Sequence, residues 1–425
     1  MLVLRGGWVV DPDGNVDAEA DLLVHDGRVA EVGPRIDPPA DAEVVDVAGC
    51  WIAPGLIDLR THLREPGDEH EEDLESGLAA GARGGFTALC AMPGTHPVND
   101  SRAVTELVLS RARQLEGPEV WPFGAITVGL KGKALTEMGE LRQAGCVGVT
   151  DDRRSVTDAG LLRRAMEYAR TFDLVLAQHC EEPGLHRGSL MHEGPLSTRL
   201  GLRGSPAEAE VAAVARDLQL AALTGARFHV SHVSTAGAVE AIRRAKAQGL
   251  SVTADVTPHH LTFTDQALAT FDTNAKVLPP LRAESDRVAL CAGLEDGTLD
   301  AIATDHAPHA SPDKDCELAV AAFGMIGLET ALPTVLALVR DGQLSRARVV
   351  EALSVGPAKV LDAKRPLKGA DAFTVIDPDH EWTVDDTTLR SRSRNTPLLG
   401  QSVRGAARLT FARGRVIHRQ PTETA

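Results

Sequence analysis

The chain has 425 residues, 43% of them apolar, which supplies a large core and argues against global disorder. Its 44 basic residues are outnumbered by 60 acidic ones, for a net charge of −16; that balance excludes a general nucleic-acid binder and a polybasic membrane surface. The cysteines (50, 90, 146, 180, 291 and 316) form no CxxC pair, no stretch reaches the roughly 18 apolar residues of a membrane span, and the N-terminus lacks a basic, then apolar leader, so a cytoplasmic protein with reduced thiols is expected.

In chain order, residues 1–52 read as short strands, "LVLRGGWVVDPDG", "ADLLVHDGRVAEVG" and "AEVVDVAGCWIAPG", with hairpin turns at DPDG and HDGR. From 53 to 367, short apolar runs alternate with longer helical patterns. The candidate strands are "GLIDLR", "FTALCAMP", "EVWPFGAI", "GCVGVTDD", "LVLAQHCE", "RFHVSHVS", "LSVTADVT" and "LDAIATDH". Helical stretches such as "DAGLLRRAMEYARTF" and "AGAVEAIRRAKAQG" lie between them. Eight strands alternating with helices is the pattern of an α/β chain folded as a (β/α)8 TIM-type barrel. Residues 368–425 return to strands, "DAFTVIDPD" and "ARLTFARGRVIH", so both termini are expected to pair into one small β-sandwich domain.

Arg60, His62, Asp152, His179, His232 and Asp305 each fall at the C-terminal end of an expected strand, which in a barrel is the catalytic face. One histidine in such a place is ordinarily a satisfied polar residue; several histidines and aspartates converging on one mouth are a constellation. Imidazole nitrogen and carboxylate oxygen are the ligand set of catalytic zinc. A carboxylate can bridge two ions, and a second can carry a proton to a leaving nitrogen. On this chemistry Asp152 can bridge, His179 and His232 can hold one ion, and Asp305 can touch the other and serve as general acid and base.

The ordered motifs "PGLIDLRTHLREPG", "AMPGTHPVND", "GVTDD", "AQHCEE", "HVSHVST", "TPHHLTFTD", "PPLR" and "IATDHAPH" resemble those of the dihydroorotase family in the amidohydrolase superfamily. The resemblance runs over nearly the whole chain, including "AAFGMIGLETALP" and "SRSRNTP". It implies a metal-dependent barrel with a small β-domain from both termini, interconverting carbamoyl-aspartate and dihydroorotate in pyrimidine synthesis. Carried over residue by residue, His62 resembles the second histidine of an HxH metal pair and also lies at the substrate, and Arg64 resembles the grip on the substrate carboxylate, which suits a guanidinium fork. Asp152 resembles the bridging ligand, with Asp151 as the alternative. His179 and His232 resemble the ligands of a second ion, Asp305 a ligand and the catalytic proton shuttle, and His309, Phe323 and Gly324 the substrate pocket. One or two zinc ions are implied, as are an anionic small-molecule substrate, a homo-oligomer, and aspartate carbamoyltransferase as a candidate partner.

The chain also departs from that pattern. Arg60 stands where the family has its first zinc histidine, and a guanidinium has no lone pair to give a metal. Gly94 and Leu278 replace substrate asparagines, and Arg153 follows "DD" where glycine is usual. The half of the site at Arg60, His62 and Asp305 can therefore stand empty. Two readings follow: an active cyclic amide hydrolase, with one metal if that half is empty, or a non-catalytic subunit in which Arg60 fills the metal position and pairs with Asp305 or Asp152. His70 and His96 are read as exposed loop histidines, or as substitute ligands. Asp58 is expected to support a strand end, His259 and His260 to be structural, Gly84 and Gly85 to permit close packing, and Cys180 to be a buried thiol.

Overall fold

The computed structural model describes residues 1–363 and 366–421. Positions 364–365 of the expected barrel segment and 422–425 of the expected C-terminal segment lie outside them. Eight parallel strands follow one another around the central sheet in chain order. They are Leu56–Thr61, Phe86–Ala91, Glu119–Gly124, Gly148–Val149, Val175–Gln178, Phe228–Val230, Val252–Val256 and Ala301–Ile302. Each lies within one of the apolar runs picked out above, except that the first runs one residue past its run, to Thr61. The first and last are joined by a parallel bridge between Thr61 and His306, where the His62 amide donates to the His306 carbonyl at 2.9 Å. The expected (β/α)8 barrel is present.

Asp58 makes that seam rigid. Its carboxylate is fully buried and accepts the Thr304 amide and hydroxyl, both at 2.7 Å, and the Thr61 hydroxyl. Inside the barrel, Leu59, Cys90, Met92, Phe123, Val175, Ala177, Ala301 and Ala303 pack with Val360 into a filled interior, so the barrel is a core and not a pore. A larger apolar layer lies between strands and helices.

Polar caps set the helices that frame the mouth. Helix Leu74–Arg83 begins with a capping box between Asp73 and Ser76. Helices Ala159–Thr171 and Ala236–Ala247 are capped by Asp158 and Thr235. Helix Leu74–Arg83 ends at Gly84, where an added Cβ would lie 2.2 Å from the Leu328 carbonyl oxygen; the glycine pair is there for close packing.

The terminal strands form a second eight-stranded sheet. Leu2–Asp11, Val16–His25 and Arg28–Gly33 are consecutive antiparallel strands. Trp51–Pro54 pairs antiparallel with Phe373–Thr383, which ties the two ends of the chain together. Leu22, Val29, Ile52, Phe373, Val375, Leu409 and Phe411 bury into one cluster. Among the described residues no helix is long and apolar enough to cross a membrane.

Candidate active site

The loops that leave the C-terminal ends of the barrel strands carry the candidate residues, and several do so on strained backbone. Arg64 (φ 59°), Asp152 (φ 59°), His232 (φ 41°) and Asp305 (φ 48°) are all left-handed. That region is disfavoured for non-glycine residues and is held only where the surroundings over-determine it. The determinants are visible for His232. Its amide donates to Asp255 Oδ1 at 2.5 Å, and the next turn is pinned by Glu210, which accepts the amides and hydroxyls of Ser234 and Thr235. The loop after the fifth strand is fixed by Ser155, whose hydroxyl donates to the His179 carbonyl at 2.5 Å and accepts the Glu181 amide at 2.9 Å.

Arg60 sits at the centre. It is 2% exposed, and its Nη2 and Nε donate to Asp152 Oδ1 at 2.7 Å and Asp305 Oδ1 at 2.8 Å. His62 Nε2 lies 2.9 Å from the same Asp152 oxygen, and its Nδ1 lies 3.1 Å from the His306 carbonyl. Of the two pairings the sequence allowed for Arg60, the structure makes both. Of the two candidate aspartates, Asp152 faces this centre. Asp151 turns away to accept the Thr127 amide at 2.8 Å and the Thr127 hydroxyl. Burial alone would disfavour the Asp152 carboxylate, but His62 and Arg60 hold it well below the usual range. Burial lowers the His62 pKa, against the pull of Asp152. The Arg60 pKa is raised: burial opposes its charge, and Asp305 and Asp152 outweigh it.

His179 and His232 stand together, ring centroids 4.9 Å apart. His179 Nε2 meets Glu181 at 3.1 Å, whereas His179 Nδ1 and both ring nitrogens of His232 are buried without a hydrogen-bond partner. Burial, then Arg60 and His179, push the His232 pKa well down, so its lone pair is unprotonated. Unspent imidazole acceptors of this kind fit a metal ion. The half of the site at Arg60 does not: its carboxylates are already taken by a cation that cannot ligate. Among the described residues, the ligand atoms of Asp152, His179, His232 and Asp305 do not gather three together within 4.8 Å; the group that does is His70, Glu71 and Asp313.

At the rim, Arg64 Nε pairs with Glu71 at 2.8 Å and its Nη2 donates to the Pro308 carbonyl at 2.8 Å. His309 Nδ1 meets Glu71 at 2.9 Å and its Nε2 lies 3.0 Å from the Phe323 carbonyl. Arg153 reaches across to donate to that same carbonyl at 2.8 Å, and Lys314 donates to Gly324 O at 2.9 Å. Arg64, His309, Phe323 and Gly324 therefore share one rim, while His62 lies at the centre, on Asp152. A cavity of about 480 Å³ opens beside it, lined by His70, Asn274, His309, Ser311, Lys314 and Arg392 among others. His96 is exposed and pairs with Asp68 at 3.0 Å, away from the centre.

Sequence reasoning gave no role to Glu71, Glu181 or Asp255, which orient Arg64, His309, His179 and His232. Glu181 was visible in "AQHCEE" and Glu71 in the acidic run before the first helix. Glu181 lies two residues from its partner His179, whereas nothing local marks the distant partner of Glu71, His309. His260 is structural as expected, its ring between Thr257 Oγ1 at 2.8 Å and Pro279 O at 3.1 Å. The Cys180 thiol is buried against Asp217, 3.4 Å away, with its pKa pushed well up by burial.

A dihydro-orotase-like family model matches residues 49–238. The dihydroorotase of Anaeromyxobacter dehalogenans (strain 2CP-C) is 50% identical over 425 residues, covering 99% of this chain and 98% of that protein. The chain belongs to the dihydroorotase family. The family's member from Syntrophobacter fumaroxidans (strain DSM 10017 / MPOB) is likewise 50% identical, over 97% of this chain and 96% of its own. Among solved structures, the L-hydantoinase (dihydropyrimidinase) from Arthrobacter aurescens superposes with a TM-score of 0.86 at 26% identity, over 99% of this chain and 96% of the other. Arg60, Gly94, Arg153 and Leu278 thus lie in a chain that matches dihydroorotases over its full length.

Proposed function

We propose that this chain is a dihydroorotase-type cyclic amide hydrolase, interconverting carbamoyl-aspartate and dihydroorotate in pyrimidine synthesis, in the cytoplasm. The observation that carries this reading is identity of one residue in two across the full length of named dihydroorotases. Arg64 and His309, with Nη2 and Nε2 3.4 Å apart, are the donors assigned to the substrate carboxylate, because a guanidinium fork can meet both its oxygens. The carbonyl and amide of Phe323 and Gly324 form the wall on that side, with His62 at the inner end. Asp305 is the catalytic group: Arg60 engages its Oδ1, and its other oxygen is the one assigned to carry the proton to and from the amide nitrogen.

His179 and His232, with their unspent nitrogens, are the residues assigned to a zinc ion, with Asp152 beside them; His62 and Asp305 belong to the half whose cation is Arg60. A metal there would supply Lewis-acid polarisation of the amide carbonyl. The occupied Arg64 fork implies that substrate must displace Glu71 or Pro308 from it. A homo-oligomer is part of the same proposal.

One observation favours a second reading. Arg60 ties up both aspartates that catalysis would use, which suits a non-catalytic subunit that supports aspartate carbamoyltransferase. The ring-closing rate of the purified chain on carbamoyl-aspartate, with zinc added, separates the two. Turnover abolished by Asp305→Asn supports the hydrolase. No turnover from folded protein supports the subunit, and co-purification with aspartate carbamoyltransferase then becomes the measurement.

A further inference from the structure

The centre of the barrel mouth has a cation, and that cation is a side chain. The Arg60 guanidinium lies between Asp152 and Asp305, carboxylates supplied by the ends of the fourth and eighth strands, with His62 on the same Asp152 oxygen. Two buried carboxylates and an imidazole converging on one point are a set that gathers around a positive ion. Here the positive ion is covalently attached to the first strand and is fully buried. A second position bears on the same point. Gly94, in the loop after the second strand, faces Asp152: a Cβ built there would stand 2.5 Å from Asp152 Oδ2. The Gly94 backbone is not left-handed, so what the missing side chain provides is room. It is room for Asp152 as it leans onto Arg60.

We infer that Arg60 and Gly94 are one exchange: the guanidinium is a built-in cation that replaces a metal ion between Asp152 and Asp305, and the absent side chain at 94 is what allows Asp152 to reach it. This half of the site holds no metal, while the unspent nitrogens of His179 and His232 leave the other half free to hold at most one. The inference concerns metal load and the stability of the mouth. It stands or falls separately from turnover, since an inactive chain and an active one could both carry the exchange.

The test is zinc content, measured by elemental analysis on the full chain after incubation with zinc and removal of loosely bound ions. The wild-type chain is expected to retain no more than one zinc per chain. The double variant Arg60→His with Gly94→Asn is expected to retain one more than wild type and to gain thermal stability on adding zinc, because a ligand that binds only the folded state raises its melting temperature. Arg60→Lys keeps a cation in place and is expected to show wild-type zinc content. Gly94→Asn alone is expected to lower the melting temperature, since its side chain collides with Asp152 while Arg60 still needs that carboxylate. Two zinc ions per wild-type chain would overturn the inference, as would uptake of the extra ion by Arg60→Lys, or equal zinc content in wild type and a folded double variant. If the double variant does not fold, the wild-type and Arg60→Lys counts still decide it.

Discussion

Two buried acids, one in the first strand and one after the fourth, have their pKa values moved in opposite directions by their surroundings. Asp152, beside His62 and Arg60, is ionised. Asp58, four residues before His62, has no cation to face, and burial raises its pKa to about 6 despite the bonds from Thr61 and Thr304. A carboxyl whose pKa is higher folded than unfolded binds more protons in the folded state between those two values, so its contribution to stability falls as pH rises. For Asp58 that window runs from its ordinary value of 3.8 to about 6. Relative to Asp58→Asn, which does not titrate, the wild-type chain should therefore gain stability as pH falls from 7 to 4, by roughly 2 kcal/mol. Urea unfolding of both proteins across that range measures it; a constant difference would show that Asp58 is ionised throughout. Arg60 lies on the opposite side of the same electrostatics. Its partners are buried and charged, so its removal would leave two carboxylates uncompensated, the costly way to break a buried pair. The sequence placed an arginine where the family resemblance implies a metal ligand. It did not show the direction in which the side chain points, because its partner Asp305 is 245 positions away. For Arg60 the sequence offered Asp305 or Asp152 as partners, and only the fold shows that it takes both; Glu71, 238 positions from its partner His309, had no role legible in the sequence.

At the scale of elements, all eight barrel strands were legible because parallel strands buried on both faces read as short continuous apolar runs bounded by turns. Their lengths were less so. "GCVGVTDD" contributes only Gly148–Val149 to the sheet, since the chain must leave the ladder to place Asp152 in left-handed backbone, with its amide on Thr150 Oγ1 at 3.1 Å. The last strand of the barrel, Ala301–Ile302, is equally short for a similar reason: Thr304 turns to Asp58 and Asp305 to Arg60. The ends of helices are set by comparable close approaches. Gly84 closes helix Leu74–Arg83 against the Leu328 carbonyl, at φ −71°, where alanine's backbone is comfortable. Gly84→Ala should therefore destabilise through crowding alone, by about 1–3 kcal/mol, the usual range for overpacking. Denaturant unfolding checks this, and an unchanged midpoint would mean that the helix end can back away from the strand loop.

At the scale of the molecule, the two termini meet where Trp51–Pro54 pairs with Phe373–Thr383, and the barrel carries its site at the opposite, C-terminal strand ends. The pairing of terminal strands was legible from their shared turn-punctuated pattern. The closure of the barrel was legible from the count of strands, but its seam through Asp58, Thr304, Thr61 and His306 was not. Arg60 belongs to that seam: it joins the first strand to the loops after the fourth and eighth, so the mouth is cross-braced by ion pairs from within the chain. One-in-two identity to named dihydroorotases over the full length and a buried arginine between two aspartates are both properties of this one molecule. The measurement that tests their combination most directly is a crystal structure of the zinc-soaked wild-type chain, with anomalous scattering recorded at the zinc edge. The account predicts the Arg60 guanidinium between Asp152 and Asp305 and no anomalous peak there, with any zinc confined to His179 and His232. A zinc peak between the two aspartates, with Arg60 turned out of the centre, would contradict it.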